Sequence, residues 1–266
     1  MLPSASRLDA QSDVPIAMTQ EVVKSVGRVM EVLETFRSAR RPLSATEICR
    51  ELGYPKSSTN ALLKSLVRLG YVSLDDGSFT YFPTMKVSRL GDWIADELCV
   101  TTRAILKQLH SDTGETITLA KKNDVHMQTI VSIPGTFPIT FNPDEGYMAP
   151  LFGSAEGTSV LATFPEERTK RLWRRAKRIQ GAISKPFSLA DSAADITHAR
   201  DQGYAVTYDQ IVPDSGTVAM LVPTVEDANV SVVVCVSGLA SRIRREERRI
   251  INKMSKSIRE ISELSS

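Results

Sequence analysis

The stretch that most constrains this chain is RPLSATEICRELGYPKSSTNALLKSLVRLGYV, residues 41–72. It holds two short helical patterns about a Gly-containing turn, the sequence form of a helix-turn-helix. In the first, Ile48 and Leu52 share a face, and Ser44 with Glu47 three residues on makes a capping box. Gly53 stands where a helix C-cap belongs, and Pro55 falls in the first turn of the next helix. In the second pattern Leu62, Leu66 and Leu69 recur at helical spacing and predict the buried stripe. Ser57, Asn60 and Lys64 lie opposite, with Lys56 and Arg68 nearby. One face is set to pack, and the other offers hydrogen-bond donors and cations to a groove.

Residues 71–84, YVSLDDGSFTYFPT, then read as a hairpin: Tyr71 to Leu74, an Asp76-Gly77 turn, and Phe79 to Phe82. A hairpin behind a recognition-type helix makes a winged helix-turn-helix, whose second helix enters the major groove of double-stranded DNA. The tip carries Asp75 and Asp76 and no Lys or Arg, so the wing should add little attraction for phosphate.

At 266 residues the chain is too long for one winged helix and predicts two domains. Its net charge is only +2, yet residues 20–91 hold eleven Lys and Arg against seven Asp and Glu, a net +4. That excess suits phosphate contacts. Cys49, Cys99 and Cys235 are few, odd in number and far apart, and with three histidines they build neither a disulfide framework nor a metal-ligand spacing. No metal or cofactor is expected, and a reducing cytoplasm fits. No apolar run reaches the roughly 18 residues of a membrane span. Residues 1–20 read as a disordered arm.

Residues 21–84 form the expected DNA-binding domain, with a first helix marked by Val22, Val26, Val29, Val32 or Leu33, and Phe36. Residues 85–112 read as a linker helix region, with Leu90, Ile94, Leu98, Ile105 and Leu109 on one stripe and a break possible at Thr101-Thr102. Trp93 fits a dimer contact or a core position equally. Residues 113–266 form the second domain. ETITLAKK and HMQTIVSI flank an Asn123-Asp124 turn, and a loop with a short ITF strand follows. Helices are predicted at 154–163, 166–178 and 188–202. Strands follow at 204–211, 217–223 and 230–237, the last two joined by an EDAN turn. A closing helix from about 244 to 264 buries Ile250, Met254, Ile258 and Ile261. The fold class is α+β with a mainly antiparallel sheet.

SVGRVMEVLETF, the helix-turn-helix segment, TGETITLA, GYAV and VSGLASRI together resemble the isocitrate lyase regulator (IclR) family of bacterial transcription factors, in order and spacing, from about residue 22 onward. The resemblance implies a winged helix-turn-helix, a linker helix and a GAF-like effector-binding domain. It implies a homodimer or dimer of dimers on an operator, and a small-molecule effector, often an organic acid. It places Lys56, Ser57, Ser58, Thr59 and Asn60 at the start of the recognition helix, to which patterning adds Lys64. It implies an effector pocket lined by Ser154, Ala155 and Glu156, by residues 207–217 including Thr207, Asp209 and Thr217, and by Cys235 and Ser237. Phe152 stands where the family commonly has His, Thr158 where it often has Lys, and Glu156 where it has a small or apolar residue. A carboxylate at Glu156 would repel an acid, so either the ligand carries a cation or donor, or Glu156 faces solvent.

No catalytic constellation competes with this reading. GSAEG has its Ser directly after the first Gly and lacks the spacing of a nucleophile elbow, so Ser154 reads as a helix cap. No HExxH, phosphate-binding loop or dinucleotide fingerprint occurs. The expectation is a metabolite-responsive DNA-binding regulator and not an enzyme. The alternative is a small-molecule sensor whose winged helix contacts protein.

Overall fold

The computed structural model describes residues 23–91, 97–179, 188–223 and 231–264. The expected arm, Val22, Trp93, Ile94 and the EDAN turn lie outside these residues. The chain separates into two compact units, residues 21–96 and a C-terminal unit from residue 97.

The N-terminal unit is built from α1 (Lys24–Ala39), β1 (Leu43–Ser44), α2 (Ala45–Leu52), α3 (Lys56–Arg68), β2 (Val72–Asp75), β3 (Thr80–Pro83) and the short α4 (Met85–Ser88). Ser44 caps α2 in a full capping box: its hydroxyl accepts from the Glu47 N–H, and the Glu47 carboxylate accepts from the Ser44 N–H at 2.8 Å. With Arg41 beside it at 2.9 Å, this carboxyl is held down at about 2. Gly53 ends α2 in the left-handed conformation at φ 66°, as its place in the sequence anticipates. Three helices bury Val32, Phe36, Ile48, Leu63 and Leu66, joined by Leu43 and Val72 from the strands. The wing is a three-stranded sheet in the order β1-β3-β2, all antiparallel.

The C-terminal unit runs α5 (Glu97–Thr113), β4 (Thr116–Asn123), β5 (His126–Ile133), β6 (Met148–Pro150), α6 (Ala155–Leu161), α7 (Glu166–Ile179), α8 (Leu189–Gln202), β7 (Ala205–Tyr208), β8 (Ser215–Val222), β9 (Val232–Leu239) and α9 (Ala240–Leu264). Its sheet is ordered β6-β5-β4-β9-β8-β7, and every pairing is antiparallel. The two-residue side-chain period of a strand sends alternate residues to opposite faces. On β9, Val232, Val234 and Val236 enter one core with α5 and α9, while Val233 and Cys235 enter another with α6, α7 and α8. The result is three layers, helices on both faces of one sheet. A break of register between Leu119 and Ala120 leaves Ile130 unmatched on β5. It puts Met127 in one core and Val131 in the other, although both have odd numbers.

In the 85–112 linker region α4 ends at Ser88, and α5 packs into the C-terminal core through Leu106 and Leu109 as the first helix of that unit. Two sequence expectations differ from the structure. No break falls at Thr101-Thr102; α5 continues through it, and Thr102 is fully buried. ITF forms no strand, because the 134–147 loop is fastened by side chains, and β6 takes the sheet edge. Arg242 does much of that fastening. It forms a two-pronged pair with the buried Glu115 (Nη2 to Oε2 2.7 Å), stacks 4.0 Å from the Phe137 ring, and donates to the Ile139 carbonyl. Gly238 is required beneath this pair, since a Cβ there would stand 2.2 Å from a Glu115 oxygen.

Candidate nucleic-acid interface and effector cleft

Helix α3 turns Thr59, Leu63 and Leu66 into the core. The expected stripe is therefore one position out of phase at its first member: Leu62 is half-buried and Leu69 is 59% exposed. Thr59 is a correction as well. It is fully buried and its hydroxyl donates to the Pro55 carbonyl at 3.3 Å, which takes it off the groove-facing side. Lys56, Ser57, Asn60 and Lys64 are exposed, with Arg68 about three turns beyond Ser57. Ser58 is half-buried and accepts from Arg28 of α1 at 3.2 Å. That guanidinium also lies 4.8 Å from the centre of the Tyr54 ring, so a cation from α1 is pinned beside the start of α3. Sequence reading counted Arg28 only as charge; no local pattern ties it to Ser58, thirty residues away.

The wing adds no positive charge. Asp75 holds its own turn through Ser78, whose backbone N–H donates to it at 3.1 Å and whose hydroxyl also reaches it. Those bonds keep its carboxyl below the ordinary range. Lys86, just behind the wing, is spent internally, donating to the Leu69 carbonyl at 2.9 Å and lying over the Tyr71 ring.

The second site is a cleft in the C-terminal unit with about 510 Å³ of empty space, mouth included. Its floor is one face of the sheet, read across the register. Thr118 stands opposite Cys235, Ser237 opposite Thr217, and Thr217 opposite Thr207. Thr217 and Ser237 share a hydrogen bond at 3.0 Å. Thr129, delivered to this face by the β5 irregularity, extends the floor. Phe141, Pro143 and Tyr147 from the long loop form one wall, and Gln210, Ile211 and Val212 form another. Helix α6 contributes Glu156, with Ser154 at its cap.

Of the eight sequence-assigned effector residues, six line this cleft: Ser154, Glu156, Thr207, Thr217, Cys235 and Ser237. Ala155 does not; it is fully buried in the core behind the helix. Asp209 does not line it either. At φ 58° it accepts from the Asp214 N–H at 2.8 Å and gives its own N–H to the Ser215 carbonyl, pinching the 209–214 loop so that Gln210 to Val212 sit at the cleft. Ser154 is already committed, donating to the Pro150 carbonyl at 2.7 Å and accepting from the Gly157 N–H at 3.1 Å. The loop residues were missed because nothing local in the sequence brings Phe141 or Tyr147 across to β9.

Three acidic groups face one another in the cleft. Burial pushes the Glu156 carboxyl up, with its own backbone N–H offsetting part of the cost. Burial, with the neighbouring Glu156 charge, also raises the Tyr147 hydroxyl and carries the Cys235 thiol well above its usual value. Cys235 is therefore a neutral thiol and a poor nucleophile. The described lining holds no Lys, Arg or His. Glu156 lines this cleft.

Comparison with known proteins identifies both domains. Residues 25–76 match the model of the IclR helix-turn-helix domain, and residues 95–263 match that of the bacterial transcriptional regulator IclR C-terminal domain. The HTH-type transcriptional regulator XynR of Escherichia coli K12 is 25% identical over 228 residues, covering 84% of this chain and 88% of that one. The acetate operon repressor of Salmonella typhimurium is 24% identical over 213 residues, covering 72% of each. The crystal structure of an IclR transcriptional regulator from Alicyclobacillus acidocaldarius superimposes with TM-score 0.64 at 27% identity, covering 92% of this chain and all of that one.

Proposed function

This chain belongs to the IclR family of bacterial transcriptional regulators, and from that membership we propose that it reads DNA through the exposed face of α3 and takes its effector in the cleft beneath α6. It is a transcriptional regulator with a helix-turn-helix DNA-binding domain and a C-terminal effector domain. The protein-contact reading of the winged helix is not favoured, since its relatives are regulators of transcription. No catalytic role is proposed. Among the described residues, no helix is long and apolar enough to cross a membrane.

The observation that carries the DNA reading is the division of α3. Thr59, Leu63 and Leu66 anchor it, which leaves Lys56, Ser57, Asn60 and Lys64 together on the free side. Lysine gives a phosphate or a guanine edge a cation, and Asn has the paired donor and acceptor that match adenine. A homodimer would double these contacts on a palindromic operator, and a dimer of dimers would carry two such pairs. Duplexes selected from random DNA by the purified protein, then titrated at rising salt, test this. Affinity should fall steeply with salt and should drop in Asn60→Ala at one base position of each half-site. Selection that yields no common sequence would sink the proposal.

A further inference from the structure

We propose that the cleft takes a small ligand bearing a cationic amine, whose ammonium pairs with the Glu156 carboxylate beside the Phe141 and Tyr147 rings. This rests on the reading of the cleft as the effector site and names the ligand class for it.

The argument starts from what the lining lacks. A carboxylic acid entering this space meets a carboxyl, a phenol and a thiol, and no side-chain cation among the described residues. Helix α6 does not replace the missing cation. Its Gly157 N–H is already given to Ser154 Oγ and its Thr158 N–H to the Ser154 carbonyl. Glu156 stands in that same first turn, where its carboxylate, once ionised, would oppose an incoming anion.

The lining supplies the groups that an ammonium needs. Glu156 is paired with no cation among the described residues; burial favours its neutral form in the empty cleft, and an ammonium seated beside it would supply the counter-charge that its carboxylate lacks. The Phe141 and Tyr147 rings meet edge to face at 6.3 Å and border the same space, and aromatic faces attract cations. Eight hydroxyl-bearing side chains line the cleft, enough to satisfy further N–H or O–H groups of an amine. A neutral polyol would use those hydroxyls but leave Glu156 without a counter-charge. A cation satisfies both.

The full-length protein would be titrated calorimetrically with ethanolamine, choline and putrescine, with glycerol and xylitol, and with acetate and succinate. Wild type would be compared with Glu156→Gln, Glu156→Asp and Thr217→Val. At least one amine should bind wild type, lose about tenfold or more in affinity with Glu156→Gln, and largely keep it with Glu156→Asp, which retains the charge. Acids should not bind. The amine assignment falls if the amines fail to bind at millimolar concentration, if an acid or polyol binds in their place, or if amine binding survives Glu156→Gln. If Thr217→Val alone weakens the bound probe, the cleft reading stands and only the amine assignment is lost. If none of the three substitutions changes it, the cleft itself is not the binding site.

Discussion

Glu156 makes the stability of the unliganded protein depend on pH in a direction opposite to most carboxylates. Its folded-state value lies above the ordinary carboxylate range because burial disfavours the charge. The folded chain thus holds this proton more tightly than the unfolded chain does. Stability from that difference is fully present below the unfolded value and is lost as pH rises through the folded one. Glu156→Gln cannot ionise, so its melting temperature should match wild type near pH 4 and exceed it at pH 8. Thermal denaturation across that range checks this, and a gap that stays constant with pH refutes it. The neighbouring Gly157 makes a second residue-scale prediction. A Cβ there would lie 1.9 Å from the Leu151 carbonyl oxygen, a backbone atom with no room to retreat. Gly157→Ala should destabilise the chain by about 1–3 kcal/mol, read as a lower urea midpoint, and disturb the seat of Glu156 with it.

Helix α3 separates folding from recognition on opposite sides of one element. Leu63→Ala should cost about 2–5 kcal/mol in denaturant unfolding, as expected for a fully buried leucine. Asn60→Ala should leave that midpoint unchanged while weakening operator binding by about 1–3 kcal/mol. The reverse pattern would mean the faces are misassigned. Much at this scale was legible in the sequence. The capping box at Ser44, the closing glycine at 53 and the strand-forming runs of β4, β5 and β9 are local signals, and each of these elements stands within about two residues of where they put it. The α3 phase was not fully legible. Leu62 and Leu63 are both apolar, and the true stripe begins with a threonine that a hydropathy count passes over. The same blindness to a buried Thr102 leaves a break open at Thr101-Thr102, where α5 runs through unbroken. Family resemblance assigned eight residues to the cleft and six of them line it; the other two share a cause, since Ala155 and Asp209 support lining residues without lining the cleft. Phe141 and Tyr147 escaped because loop-to-sheet packing leaves no periodic trace.

For the whole molecule, one winged helix-turn-helix per chain sets the arithmetic of DNA binding. A single recognition helix makes too few contacts for tight specific binding, so two copies on a roughly palindromic site are expected, with half-sites spaced by about one helical turn. The positive charge that supports binding is concentrated in residues 20–91, at a net +4 against +2 for the chain, and the wing tip contributes none of it. Lys64 is the most useful reporter, because it is exposed on α3 and forms no ion pair among the described residues. Each phosphate contact contributes about −0.9 to the slope of log affinity against log salt. Removing one lysine per chain from a homodimer removes two contacts, so Lys64→Ala should flatten the slope by about two on the full operator. On a duplex carrying one half-site it should flatten it by about one. Light scattering at micromolar concentration should independently show at least two subunits. A particle that scatters as a monomer, with a slope change near one on the full operator, would mean that a single chain suffices.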